Sequence, residues 1–228
     1  MKTKRNYAVA IDGPAGAGKS TVARRVARDL GFLYVDTGAI YRTVGYHMDF
    51  YGIGPRDTDG VNRLLPDVNI SLEYVDGVQR MLLNGRDVTD EIRTPEMSAI
   101  ASAISAQPAV RAYLLELQRD MARRHSVVMD GRDIGTVVLP GADVKIFLTA
   151  APEVRARRRF DELRAKGESV TYEQVLRDLN QRDHQDQTRK IAPLRPARDA
   201  VEVDTTGLDI DQVAAAIEAL VKERLGSL

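Results

Sequence analysis

Continuous apolar runs alternate along the chain with stretches in which apolar residues recur every three or four positions. That alternation predicts buried parallel strands separated by helices. Tyr7 to Ile11 is the first run, closed by Asp12 and Gly13. From Ser20 the period changes: Val22, Val26 and Leu30, with Ala23 and Ala27 beside them, form one helical stripe, and Gly31 stands where a helix C-cap glycine would. Phe32 to Val35, Val127 to Asp130, Val144 to Ala150 and Ala200 to Asp204 read as four further strands. The last helix places Ile210, Val213, Ile217, Leu220 and Val221 on one stripe, started by Asp209 with Gln212 three residues on.

One region breaks the alternation. Between Asn69 and Thr89, Asp76-Gly77 and Asn84-Gly85 each divide strand-like runs, a strong local signal for hairpins. A small antiparallel three-stranded insert is expected over about residues 69–89. No internal repeat or low-complexity segment separates independent domains.

Composition narrows the functions open to such a fold. Lys plus Arg and Asp plus Glu both number 33, so no global field holds a polyanion, and any anion site must be local. With no Trp and four Phe there is little material for stacking bases, and no nucleic-acid partner is expected. Cysteine is absent, which excludes disulfides and thiolate metal sites and suits a reducing compartment. The first apolar run is too short for a signal-peptide core or a membrane span. The expectation is a soluble, cytoplasmic, monomeric protein without a membrane partner.

The residues Gly13, Pro14, Ala15, Gly16, Ala17, Gly18, Lys19 and Ser20 fit G-x-x-x-x-G-K-[ST] between a predicted strand and a predicted helix, with Thr21 following. Several consecutive backbone N–H groups must face one polyphosphate, so side chains have to be absent where its oxygens approach, and the helix N-terminus adds a favourable dipole. Lys19 is expected on the β and γ phosphates and the Ser20 hydroxyl on Mg²⁺, with a nucleoside triphosphate as the ligand.

Three other constellations bear on what becomes of the γ-phosphate. "DTGAIYR", Asp36 to Arg42, follows the second strand, where an open α/β sheet binds ligands; an ordinary helix capped by Thr37 reads equally well. "DGRDIGT", Asp130 to Thr136, follows the third strand: Asp130 can hold magnesium through water, and Gly131 lets Arg132 and Asp133 turn into the cleft. The C-terminal half supplies Arg155, Arg158 and Arg159 on one helical face, then Arg182, Asp183, Asp186 and Arg189. A solvated charged surface is the competing account of that run. A phosphate-monoester acceptor, with a second pKa of about 6, needs no general base at neutral pH; its obstacle is repulsion from the donor, which arginines from several directions relieve. His47, His125 and His184 are therefore assigned no catalytic part, and Tyr34, Tyr41 and Tyr46 are read as packing.

Taken together, "IDGPAGAGKST", "DTGAIYR", "EIRT" at Glu91 to Thr94, "DGRDIGTVV" and "QTRKIAPLRPARDA" at Gln187 to Ala200 closely resemble the bacterial cytidylate kinases, or CMP kinases, over nearly the whole chain. The resemblance implies an α/β P-loop NTPase fold of adenylate-kinase type: a parallel five-stranded core sheet flanked by helices, the antiparallel insert, and a short helical lid. It divides the chain into a core of residues 1–36 and 109–228, with the lid at about 152–190, and a monophosphate-binding region of residues 37–108. It implies γ-phosphoryl transfer from ATP, with Mg²⁺, to CMP or dCMP. Lys19, Arg132, Arg155, Arg158 and Arg159 would act on the transferring group, and Ser20 and Asp130 on the metal. Arg42, Arg132 and Arg189 would hold the acceptor phosphate, Ser102, Arg111 and Asp133 the cytosine, and Arg182 and Asp186 the ribose, with Thr37 beside the substrate. Closure of the lid over both nucleotides is a further expectation, since the arginines lie far apart in the chain.

Cytosine offers an exocyclic amino donor that suits the Asp133 carboxylate, whereas uracil would set a carbonyl against it. Two rivals remain: another P-loop kinase acting on UMP or a small alcohol, and a GTP-hydrolysing switch, against which the chain lacks an N-K-x-D sequence.

Overall fold

A computed structural model of the chain describes residues 5–75 and 78–226. In chain order it comprises β1 (Ala8–Asp12), α1 (Lys19–Leu30), β2 (Leu33–Asp36), α2 (Thr37–Phe50), α3 (Thr58–Leu64), β3 (Ile70–Val75), β4 (Val78–Leu83), β5 (Arg86–Asp87), α4 (Pro95–Ile104), α5 (Pro108–Arg124), β6 (Val127–Gly131), β7 (Val144–Thr149), α6 (Pro152–Ala165), α7 (Tyr172–Thr188), β8 (Val201–Asp204) and α8 (Ile210–Leu225). A short 3-10 turn follows α3, and one π-helical turn, Ile134–Val138, follows β6. None of the described helices is long and apolar enough to cross a membrane.

The chain divides into two compact units, one of residues up to Val35 and from Met121 onward, the other Asp36–Asp120. The first is built on a five-stranded parallel sheet in the order β2-β6-β1-β7-β8. β1 lies between β6 and β7 in parallel register, Ala10 opposite Met129 and Lys145, and β8 continues the sheet beyond β7. Its strands read as unbroken apolar text because both faces are covered: Val9, Ile11, Val128, Ile146 and Leu148 are buried among Val22 and Val26 of α1 and Val213, Ile217 and Val221 of α8. The caps are those expected from the sequence. Gly31 ends α1 in the left-handed conformation, and Asp209 with Gln212 forms a reciprocal capping box on α8.

The second unit holds the antiparallel insert, in the order β3-β4-β5. Asn84 and Gly85 both take positive φ, 51° and 81°, the geometry of a two-residue turn between β4 and β5. The expected turn at Asp76-Gly77 lies outside the described residues. Asp36, rather than Thr37, caps α2: its carboxylate accepts the Ala39 amide at 2.8 Å, and Thr37 is the first helical residue.

Two features of the first unit fix the ground on which the glycine-rich loop stands. Gly13, at φ 148°, lies so close to β7 that a Cβ there would fall 2.0 Å from the Leu148 carbonyl oxygen. Asp12, the last residue of β1, is buried, and its two oxygens accept the amides of Ile134 and Gly135 at 2.8 Å each. Burial pushes its pKa up to about 6, against the pull of those two amides.

Gly13→Ala must displace a core strand and is expected to cost more than about 2 kcal/mol in urea unfolding. The raised Asp12 pKa means that the folded chain holds this proton more tightly than the unfolded one. The stability it brings is full below the ordinary carboxylate value of 3.8 and is lost as pH rises through about 6. The lead of the native chain over Asp12→Asn should therefore shrink by roughly 3 kcal/mol from acid to neutral pH. A pH-independent gap in urea unfolding would contradict the buried titration.

Candidate functional site

β1 delivers the chain directly into the loop Gly13 to Gly18, and α1 begins at Lys19. The Lys19 side chain is buried and its Nζ donates to the Pro14 carbonyl at 2.6 Å, folding the lysine back along its own loop. Its pKa is driven down by burial first and then by the positive charge of Arg132, with Arg182 adding to it and Asp130 and Asp12 opposing. A buried ammonium crowded by guanidinium groups is unfavourable until an anion arrives, and its perturbation marks the loop as an anion site. Thr21, next along α1, is exposed.

The Ser20 hydroxyl donates to Asp130 Oδ2 at 2.8 Å, and Asp130 Oδ1 accepts from the Tyr34 hydroxyl at 3.0 Å. The two residues expected to serve a metal are thus in contact, brought together by the parallel register of β1 and β6. No cluster of three or more His, Cys, Asp or Glu residues that could hold a metal occurs among the described residues. A hydroxyl and a carboxylate fit magnesium that draws its remaining ligands from phosphates and water.

Beyond β6 the chain turns so that Arg132 and Asp133 meet α7. Thr171 and Gln174 start α7 with a capping box, and residues 182, 186 and 189 then fall one turn apart on a single face. Arg132 Nε donates to Asp186 Oδ2 at 2.9 Å, and Arg189 Nη2 donates to Asp133 Oδ1 at 3.3 Å. Burial pushes the Asp186 carboxyl upward, but Arg132, Arg182 and Arg189 together outweigh it and hold its pKa below the usual carboxylate range. The pairing with Arg132 thus keeps the Asp186 carboxylate ionised at neutral pH.

The three arginines of α6 have separate surroundings. Arg155 is buried: its Nε donates to Ala150 O at 2.9 Å, and its Nη1 donates to Ala15 O of the glycine-rich loop at 3.0 Å and to Asp183 of α7 at 2.5 Å. Gly16 permits this packing, since a Cβ there would come within 3.1 Å of Arg155. Arg158 binds Thr205 through its side-chain oxygen at 3.0 Å and its carbonyl at 2.6 Å, and Arg159 pairs with Glu162 near the surface.

In the second unit, Asp36 Oδ2 accepts from Arg42 Nη2 at 3.2 Å, so the acid that caps α2 also orients the arginine one turn and a half along it. Thr37 is buried beside them. Arg111 of α5 donates to Ser105 O at 3.3 Å and lies over the Tyr41 ring at 5.8 Å. Ser102 of α4 accepts the Ser105 hydroxyl on its carbonyl at 2.7 Å. His47 is buried in α2 against Tyr51, and burial lowers its pKa.

Sequence reasoning found the cations and missed what holds them. Asp12, Tyr34, Asp36 and Asp183 each bind a member of the expected set or its loop, and three of the four stand within or beside a quoted motif. The three acids were visible as acids; the partners of Asp12, Tyr34 and Asp183 lie in elements far along the chain, where spacing carries no signal.

A family model described as Cytidylate kinase matches residues 9–223. The cytidylate kinase of Carboxydothermus hydrogenoformans is 54% identical over 213 residues, covering 93% of this chain and 96% of that protein. The cytidylate kinase of Geobacter sulfurreducens is 49% identical, covering 97% and 95%. A solved structure described as an uncharacterized protein from Eubacterium ventriosum matches at a TM-score of 0.53 with 12% identity, covering 96% of this chain and 100% of that one, a likeness of fold alone. Since the family match leaves only the chain ends outside it and extends to near-complete coverage of relatives at about half identity, the chain belongs to the cytidylate kinase family.

Proposed function

We propose that the chain transfers the γ-phosphoryl group of ATP to CMP or dCMP, giving ADP and the pyrimidine nucleoside diphosphate, by positioning and charge neutralisation without a general base. Family membership supports the activity. The observation that carries the mechanism is the set of Arg132–Asp186 and Arg189–Asp133 pairs, with the charge of Arg132 acting on Lys19.

Transfer brings together two phosphate groups that repel one another, and the transition state spreads charge over the migrating group. Lys19 and the loop amides from Gly13 to Ser20 serve the donor phosphates. Ser20 and Asp130 would hold magnesium, which supplies further neutralisation of the donor oxygens when bound. Arg132 and Arg189 in the first unit, and Arg42 in the second, serve the acceptor phosphate, with Arg182 and Asp186 on the sugar. Arg155 braces the phosphate loop against α7 and fixes the donor end of the path. Arg158 and Arg159 extend the same cationic helix.

The acceptor base is read by Asp133, with Ser102 and Arg111 of the second unit. A buried carboxylate accepts from the amino group of cytosine and repels the carbonyl that uracil carries in its place. An unmatched buried polar pair costs about 1 to 3 kcal/mol, one to two powers of ten in preference. Asp133→Asn can donate to the uracil carbonyl and should narrow the ratio of kcat/KM for CMP over UMP by about tenfold or more. Steady-state rates with both acceptors measure this, and an unchanged ratio would assign base reading to another residue.

A further inference from the structure

The π-helical turn Ile134–Val138 begins at Asp133, a residue type that ordinarily caps its own helix by accepting an amide two or three positions on. Asp133 makes no such bond. The two leading amides of the turn, from Ile134 and Gly135, go instead to the two oxygens of Asp12, on another strand and more than a hundred residues earlier in the chain. The Asp133 carboxylate accepts from Arg189.

The far side of the same turn is held too. Lys145 Nζ donates to Pro140 O at 2.6 Å and to the Asp199 carboxylate at 2.9 Å, and its methylenes lie under Gly135, where a Cβ would stand 3.2 Å from Lys145 Cδ and 3.4 Å from Asp12 Oδ2. Asp12 itself has little freedom to yield. Its backbone is registered opposite Gly131 of β6 and Phe147 of β7, so both carboxylate oxygens start from a fixed point in the sheet.

We propose that Asp12 is a positioning residue for the acceptor site: it caps the turn after Asp133 from a neighbouring strand, and so fixes Arg132 and Asp133 for the monophosphate. The inference rests on the reading of Arg132 and Asp133 as acceptor-binding residues. When Asp12 is lost, the two leading amides of the turn lose their acceptors, and Arg132 and Asp133 lose the anchor that sets their place. The phosphate loop keeps its place, because β1 is held by its backbone pairing and not by the Asp12 side chain.

The test compares Asp12→Asn with Asp12→Ala in the full chain. Both remove the charge, but asparagine keeps one acceptor oxygen and alanine none, so a difference between them reports the hydrogen bonds. The measurements are KM for CMP and for ATP, kcat, the CMP over UMP ratio, and hydrogen exchange of the Ile134 and Gly135 amides by NMR. The expected result is a KM for CMP raised about tenfold or more in the alanine variant and less in the asparagine variant. KM for ATP should stay within about twofold, the CMP over UMP ratio should fall, and amide protection should be lost in the same order. Equal shifts for both nucleotides, a fall in kcat with both KM values kept, or lost protection with an unchanged KM for CMP would each overturn the proposal. The isosteric asparagine variant decides the matter if the alanine variant does not fold. Arg132→Ala and Asp133→Ala, assayed alongside, separate the two levels: if they raise KM for CMP and Asp12→Ala does not, this inference alone fails, and if they too leave it unchanged, the acceptor reading fails and takes this one with it.

Discussion

Mutual repulsion among cations in a place with little water is the constraint that the rest of this structure answers. Under the proposed reaction Lys19, Arg132, Arg182 and Arg189 would all serve anions, yet burial and the fields of Arg132 and Arg182 work against the charge on Lys19. The chain offsets this with a second set of charges. Asp130 is the chief acid acting on Lys19, Asp186 acts on Arg132, and Asp133 on Arg189. Under the proposed function these pairings would hold the arginines in place before substrate arrives, and so reduce the reorganisation left for the reaction itself.

The parallel sheet is what makes such a lattice possible. Adjacent strands in register end side by side, so Asp12 and Gly131 are neighbours, and the loops that leave β1 and β6 start from the same edge. The glycine-rich loop follows one and the Arg132–Asp133 turn the other. α7 then closes the arrangement with two different faces: Arg182, Asp186 and Arg189 on one, and Asp183, one residue on from Arg182, bound to Arg155 and through it to the phosphate loop. One helix thus touches both the donor loop and the arginine-carboxylate pairs.

Much of the fold was legible in the sequence because its signals are local. The apolar runs located the five core strands to within a residue, Asn84-Gly85 placed a turn by its tolerance for positive φ, and Asp209 with Gln212 placed the start of α8. In the first unit Ser20 meets Asp130, and Arg132 meets Asp186. What could not be read was partnership across the chain. Tyr34 read as packing, and it is buried, but its hydroxyl also reaches Asp130. Thr37 read as a cap, and Asp36 takes that place, because a carboxylate there satisfies both the helix amide and Arg42. Arg155 read as one of three equivalent arginines on a helical face, and its burial against Ala15 and Asp183 sets it apart from Arg158 and Arg159. For Tyr34 and Arg155 the deciding atom belongs to an element distant in sequence.

The central claim is that these charges are arranged for transfer to a pyrimidine monophosphate. It is tested most directly by following ADP formation from ATP and Mg²⁺ with CMP, dCMP, UMP, AMP, GMP, shikimate or no acceptor in parallel. The account predicts fast turnover with CMP and dCMP, much slower turnover with the others, and little without an acceptor. No response to any monophosphate, or an acceptor-free rate equal to the rate with CMP, would contradict it.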